Sequence, residues 1–388
     1  MRQARQQNGG LGHRLLKSKE APCAFGTGAF LKMDIVFTLT IYALGMVLAA
    51  VGSRLSARCT VWCCALCGLP MWVVGGMVAP VCLALPQLVF AFLAAGSELT
   101  ALAVGVALAG AVTDVGLVLA LCLLRRSVVV ERGEYCRKCL LLLAAALVVV
   151  LTVREGRLSY TGIGLLMLLF AVFVLESIAC QHRFLFEPTL DMMTVGDGPV
   201  RRDQVEGYTA HTMAFPVMSI GNSLKNLFGV VAGLTVLCTG AEMLLYSAAT
   251  MASLTGTIQA LWAATLISFG FCLPLLAEVL HHPFGSVWKR FSERCRTYPP
   301  QSLPMQMLNS AIVSLTLALP LSSLMYRSRL PLGAQFRMYD LPVTLALGAV
   351  LLLPPLFKKR LYRPQGAACL ALYLLYLAGV LLAPLAGA

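Results

Sequence analysis

The chain has 388 residues, of which 59% are hydrophobic and only 12% charged, and its mean hydropathy is +0.82. A soluble globular protein carries about 25% charged residues, so that class is excluded. A membrane β-barrel is excluded too, because its strands would alternate polar and apolar residues.

Residues 1–33 form a basic N-terminal tail in which Glu20 is the only acid. That composition suits a transit peptide or a tail ahead of a second start at Met33. Apolar runs follow at 35–57, 68–95, 99–124, 138–153, 159–180, 226–250, 257–280, 303–325, 341–357 and 366–386. Each is near the roughly 20 residues a spanning helix needs. They predict an all-α polytopic membrane protein of ten transmembrane helices. The polar stretch between the fifth and sixth runs divides the chain into a first five-helix repeat (34–180), a central loop (181–225) and a second five-helix repeat (226–388). Five spans per half is odd, so related halves must be inverted in the membrane.

The net charge of +13 is not a nucleic-acid footprint. Lys and Arg flank the spans and concentrate in the loops after odd-numbered ones, the side that faces the cytosol or a matrix. This puts the central loop on that side, in a plasma or organellar membrane. The fourteen cysteines lie mostly within spans, where Cys behaves as a small apolar residue, and imply no disulfide framework.

Leu85, Pro86 and Leu88 recur at a constant offset as Leu273, Pro274 and Leu276, and the same offset carries Gly52 onto Gly240, Leu66 onto Leu254 and Gly68 onto Gly256. Glycine and proline shape backbone and have no reason to coincide in ordinary lipid-facing helices. Proline deprives the carbonyl four residues earlier of its donor. Pro86 frees that of Cys82 and Pro274 that of Gly270. The expectation is a pair of helices broken at these prolines, meeting at mid-membrane with their carbonyls aimed at a cation.

These segments resemble the calcium/cation antiporter superfamily, the sodium/calcium exchangers and their relatives. The resemblance rests on GAEMLLYSAATMASLTGTIQALWAATLISFGFCLPLL at 240–276, on the matching stretch 52–88, and on ALAVGVALAGAVTDVGLVLAL at 101–121. The stretch from RRSVVVERGEY onward (125–175) also resembles the mitochondrial-type sodium/lithium/calcium exchangers. The resemblance implies ten helices in inverted repeats, a cytosolic central loop and a cation site at the two broken helices. Several family ligand positions are replaced here. The acid after each proline becomes Gln87 and Leu275, an Asn becomes Val106, and the last Asn of the G-S-N-x-x-N motif becomes Asp114. In the second repeat, beyond a charged insertion, Asn309 and Ile312 align with the two asparagines of that motif.

Calcium takes six to eight oxygens, with carboxylates supplying charge. The cation-binding candidates are Gln87, Asp114, Glu278 and Asn309, with Asp114 and Glu278 as the metal carboxylates and Cys82, Pro86, Gly270 and Pro274 shaping the helix break. A charge at mid-membrane costs at least ~2.5 kcal/mol, so Asp114 calls for a partner or a proton. The function expected is an integral membrane antiporter with altered ligands, moving Ca2+ or another cation against Na+ or H+ by alternating access. The alternative is a transport-inactive relative serving as a membrane scaffold or regulator. No nucleophile–base spacing, Walker, Rossmann or zincin motif points to an enzyme. No catalytic residue or cofactor is assigned. The partners expected are inorganic cations and the lipid bilayer, with no nucleic acid.

Overall fold

The computed structural model describes residues 27–67, 69, 73–125, 128–130, 132–154, 156–186, 220–279, 303–357 and 360–386. Among them the chain folds into ten helical rods. These are α1 (Thr27–Leu66), α2 (74–96), α3 (Thr100–Arg125), α4 (Arg132–Thr152), α5 (Tyr160–Phe186), α6 (Ile220–Thr255), α7 (259–279), α8 (303–326), α9 (336–357) and α10 (Arg363–Ala386). Nine are long and apolar enough to cross a membrane; in α7 the apolar helix Gln259–Leu273 is shorter. All-helical spans are what hydrocarbon permits, because each helix satisfies its own backbone.

Two departures from the sequence reading concern boundaries. Helix α1 begins at Thr27, inside the stretch assigned to the tail, because 27–33 carry the apolar pattern of the first span backwards. Residues 1–26 lie outside the described residues, as do 187–219 of the central loop and 280–302, which hold the charged insertion. Helix α9 starts at Phe336, not Leu341, through a π-helical turn over Phe336–Asp340.

Short strand pairs tie the connections together. β1 (Val128–Val129) runs antiparallel to β4 (Arg360–Leu361), linking the α3–α4 and α9–α10 connections. The hairpin of β2 (Val153–Arg154) and β3 (Arg157–Leu158) turns at Gly156, whose φ of 71° suits glycine. It also meets the α8–α9 connection, with the Leu158 amide donating to the Leu330 carbonyl and the Leu332 amide to that of Gly156. The bundle therefore has a β1–β4 end and a β2–β3 end.

α3 and α8 are almost wholly buried at the centre, whereas α1, α5 and α6 expose most of their apolar surface, including Leu175, Leu227 and Phe228. That surface is what a lipid-facing helix presents. α1 and α6, about 60 and 54 Å long at 1.5 Å per residue, pack antiparallel along a glycine seam. A Cβ on Gly52 would lie 2.4 Å from the Leu237 amide and 2.8 Å from the Gly233 carbonyl. One on Gly240 would lie 2.5 Å from the Ala49 amide and 2.9 Å from the Gly45 carbonyl. Only glycine lets the two backbones approach so closely. The seam is reciprocal, as the inverted-repeat reading requires: Gly52 and Gly240 are the residues that the constant offset superimposes, and each packs against the other's helix.

Rods α2 and α7 share a second feature. Each carries a π-helical turn near its start, Val74–Val78 in α2 and, after a regular turn Gln259–Trp262, Ala263–Ile267 in α7, before continuing as regular helix. α3 and α8 carry matching π-helical turns in mid-rod, Asp114–Leu119 and Ser314–Ala318. Such turns leave the i→i−4 ladder out of register and occur frequently at functional sites.

Candidate functional site

Asp114 is fully buried at the start of the π-helical turn of α3. Three other rods meet its carboxylate. From α7, the Cys272 thiol donates to Oδ1 at 2.9 Å. From α2, the Gln87 amide nitrogen makes a long 3.5 Å contact with Oδ2. From α8, Ser310 contributes a side-chain hydrogen bond. Every one of these donors is neutral, and among the described residues no basic side chain reaches the carboxylate.

The surroundings are built to hold this group. Gly110, one turn before Asp114, leaves room for the Gln87 amide, which a Cβ there would approach to 3.2 Å. The buried Oε1 of Gln87 accepts no hydrogen bond among the described residues and so remains a neutral oxygen available to a ligand. The Ser314 hydroxyl donates to the Ala107 carbonyl at 3.0 Å, pinning α8 to α3. Gly105 permits α3 to press on Ala263, the first residue of the π-helical turn of α7.

Gln87 and Asp114 are therefore together, as the sequence indicates. Asn309 is buried beside Ser310 on α8. Glu278 is not at the same depth. It lies six positions beyond Cys272, about 9 Å along the helix axis, and its side chain is outside the described residues. Among the described residues no group of three or more His, Cys, Asp or Glu side chains forms a metal cluster.

The helix break needs correction. α2 runs as regular helix through Pro86, and the backbone of α7 passes Pro274 without ending. A single proline removes one ladder bond and kinks a helix, and the turn can carry on. The irregular backbone sits instead in the two π-helical turns, upstream of each proline. Cys82 is buried within α2. On α7 the Leu266 carbonyl accepts a 2.8 Å hydrogen bond from the Tyr42 hydroxyl of α1. Gly270 serves that contact: a Cβ there would lie 2.5 Å from the Tyr42 hydroxyl and 2.6 Å from Met46 Sδ.

Sequence reasoning missed Cys272 and Ser310. Cys272 lies in the quoted GFCLPLL stretch, two residues before Pro274, and Ser310 follows Asn309. Their positions beside motif residues were the available signal.

The model of the sodium/calcium exchanger protein family matches residues 36–179 and 291–382. Among solved structures, the chain is similar to the sodium-calcium exchanger NCX_Mj soaked with 10 mM Na+ and zero Ca2+, at 18% identity over 89% of this chain and 99% of that one, with a TM-score of 0.53. The same exchanger soaked with 100 mM Na+ and 10 mM Sr2+ is also 18% identical, over 89% of this chain and 98% of that one, with a TM-score of 0.53. At this identity the likeness is one of fold. No individual curated protein matches the chain by sequence.

Proposed function

We propose, from the premise that the chain belongs to the sodium/calcium exchanger protein family, that it exchanges cations across a membrane through a low-charge site centred on Asp114. The observation that carries this reading is a fully buried carboxylate held by neutral donors from three other rods. A buried charge without a counter-charge is costly. A bound cation or a proton supplies the missing charge. One carboxylate balances one monovalent ion, whereas a divalent ion would leave excess positive charge in a low-dielectric site. Calcium also takes six to eight oxygens, and the oxygens gathered here are the two of Asp114, the hydroxyl of Ser310 and the amide oxygen of Gln87. The site therefore favours Na+ or H+, with weak binding of Ca2+.

In this reading the packing of α1 and α6 supports alternating access. α1 and α6 form one body along their glycine seam, and Tyr42 ties that body to the π-helical turn of α7 beside the site. Rocking of the pair breaks this bond in the other state. The distribution of lysines and arginines supports a central loop and β1–β4 end on the cytosolic or matrix side.

Purified protein in liposomes decides the matter. An imposed Na+ or proton gradient drives tracer Na+, Ca2+ or Mn2+ across the membrane in the wild type, and Asp114→Asn reduces the flux to background. If the wild type moves none of these ions under either gradient, the exchange reading fails and the transport-inactive relative takes its place.

A further inference from the structure

A second carboxylate lies in the bundle, on α9 and not on any of the four rods that meet at Asp114. Asp340 ends the π-helical turn of α9 and is fully buried. Its Oδ1 accepts a 2.7 Å hydrogen bond from the Tyr376 hydroxyl of α10. Its Oδ2 has no hydrogen-bond partner among the described residues. The Thr344 hydroxyl, one turn on, is directed to the Asp340 main-chain carbonyl and leaves the carboxyl alone.

We propose that Asp340, held by Tyr376, is a second proton-binding site of this protein. A buried carboxylate that keeps its charge needs a cationic partner. Among the described residues no basic side chain forms an ion pair or hydrogen bond with the Asp340 carboxyl. From α10 the titratable groups that face Asp340 are Tyr376 and, one turn earlier, Tyr373, whose ring lies 6.2 Å from that of Tyr376. α9 itself offers Tyr339 and Arg337, and Arg337 is exposed. α3 presents Asp114 in mid-span and Arg125 at the β1–β4 end. The titratable groups of α4 (Arg132, Glu134, Tyr135, Cys136, Arg137, Lys138 and Cys139) sit on its first turns, also at the β1–β4 end. Asp340 lies near the opposite end, where α9 begins just after the connection to the β2–β3 hairpin; the arginines described there, Arg157, Arg327 and Arg329, are exposed, and Arg329 lies over the Tyr160 ring.

A proton on Oδ2 removes the charge and leaves the Tyr376 bond to Oδ1 in place. Gln335, one wide turn earlier, is also buried, and neither of its side-chain polar atoms has a hydrogen-bond partner among the described residues. It extends the polar strip from Asp340 toward the β2–β3 end, which sets the side from which the proton comes. Inward, the Tyr373 side chain hydrogen-bonds Thr113, the residue before Asp114. The two acids thus flank one tyrosine pair, and a proton at Asp340 bears on the same bundle that holds the cation.

Infrared difference spectroscopy on the purified full-length protein tests the proposal without requiring transport, so failure of the exchange reading and failure of this one are distinguishable. The wild type at neutral pH shows a protonated-carboxyl carbonyl band that Asp340→Asn removes and Asp114→Asn leaves. Tyr376→Phe shifts the band upward in frequency through loss of the hydrogen bond. A band unchanged in Asp340→Asn overturns the proposal. So does an Asp340 that is ionised at neutral pH and responds to added Na+ or K+, because it is then a ligand for a monovalent cation. Tyr376→Phe keeps the test open should Asp340→Asn fail to fold: a band unmoved by that change also counts against Asp340.

Discussion

Rods α3 and α8 are the two core helices of the bundle, one from each half. Both are buried over most of their length and both carry a π-helical turn in mid-rod. The turn of α3 opens with Asp114 and that of α8 with Ser314. The backbone device is thus common to both halves, while the charge belongs to one. Ser314 spends its hydroxyl on the Ala107 carbonyl of α3, and Ser310 bonds Asp114. Among the described residues around Asp114, the second half contributes neutral donors and helix–helix adhesion, and the first contributes the carboxylate. The two core rods therefore share a backbone architecture while the carboxylate at this site comes from one of them.

The sharpest way to break this comparison is to remove the charge. Asp114→Asn lowers cation affinity by tenfold or more, about 1.4 kcal/mol or greater, as read from tracer binding to the purified protein. Equal binding in mutant and wild type would falsify the assignment of charge to α3.

The shared architecture is tested by the glycine seam. Gly52→Leu and Gly240→Leu occupy equivalent places in the two halves, so both should destabilise the protein, by about 1–3 kcal/mol or more, in thermal melts in detergent. Gly133, around which nothing lies within 4 Å, is the control, and its change to Ala should be near neutral. A large effect at one seam glycine and none at the other breaks the symmetry argument.

Gln87→Glu adds a carboxylate beside Asp114 and sharpens the asymmetry further. Two adjacent acids share a proton unless a divalent ion binds. Calcium affinity should rise about tenfold, about 1.4 kcal/mol, with a steeper dependence on pH, as measured by tracer calcium binding across a pH series. Unchanged calcium binding would mean that Gln87 does not face the ion.

The smallest effect belongs to Tyr42→Phe. It removes one hydrogen bond to the Leu266 carbonyl, a net loss of about 0.5–1.5 kcal/mol. The balance between the two access states should shift by a few-fold, visible as altered accessibility of a cysteine introduced on α1. No shift would remove the Tyr42 bond from the gating pair.

The spans were legible because hydrocarbon imposes one rule on every crossing helix: apolar side chains for about 20 residues. The coincidence of Gly52 and Gly240 at the repeat offset was legible as well, and the packing of α1 on α6 supplied its reason. The prolines misled. A proline announces a lost hydrogen bond and says nothing of whether the helix ends there, and in both α2 and α7 the regular turn resumes across it. The π-helical turns have no comparable residue signature. Cys272 read as a small apolar residue, and its role at Asp114 depends on α7 facing α3. Asp340 fell just outside the ninth apolar run, and the π-helical turn drew it into the bundle.

From the order of its residues alone this chain declares a ten-helix membrane bundle, two related halves and a buried acid at mid-span, because hydropathy, glycine spacing and a lone charge in an apolar run are local properties. Which side chains close around Asp114, where the backbone loosens and what Asp340 meets were decided only when rods far apart in sequence packed together. A carboxylate's partners are fixed by helix rotation and depth, and neither is written in any single segment.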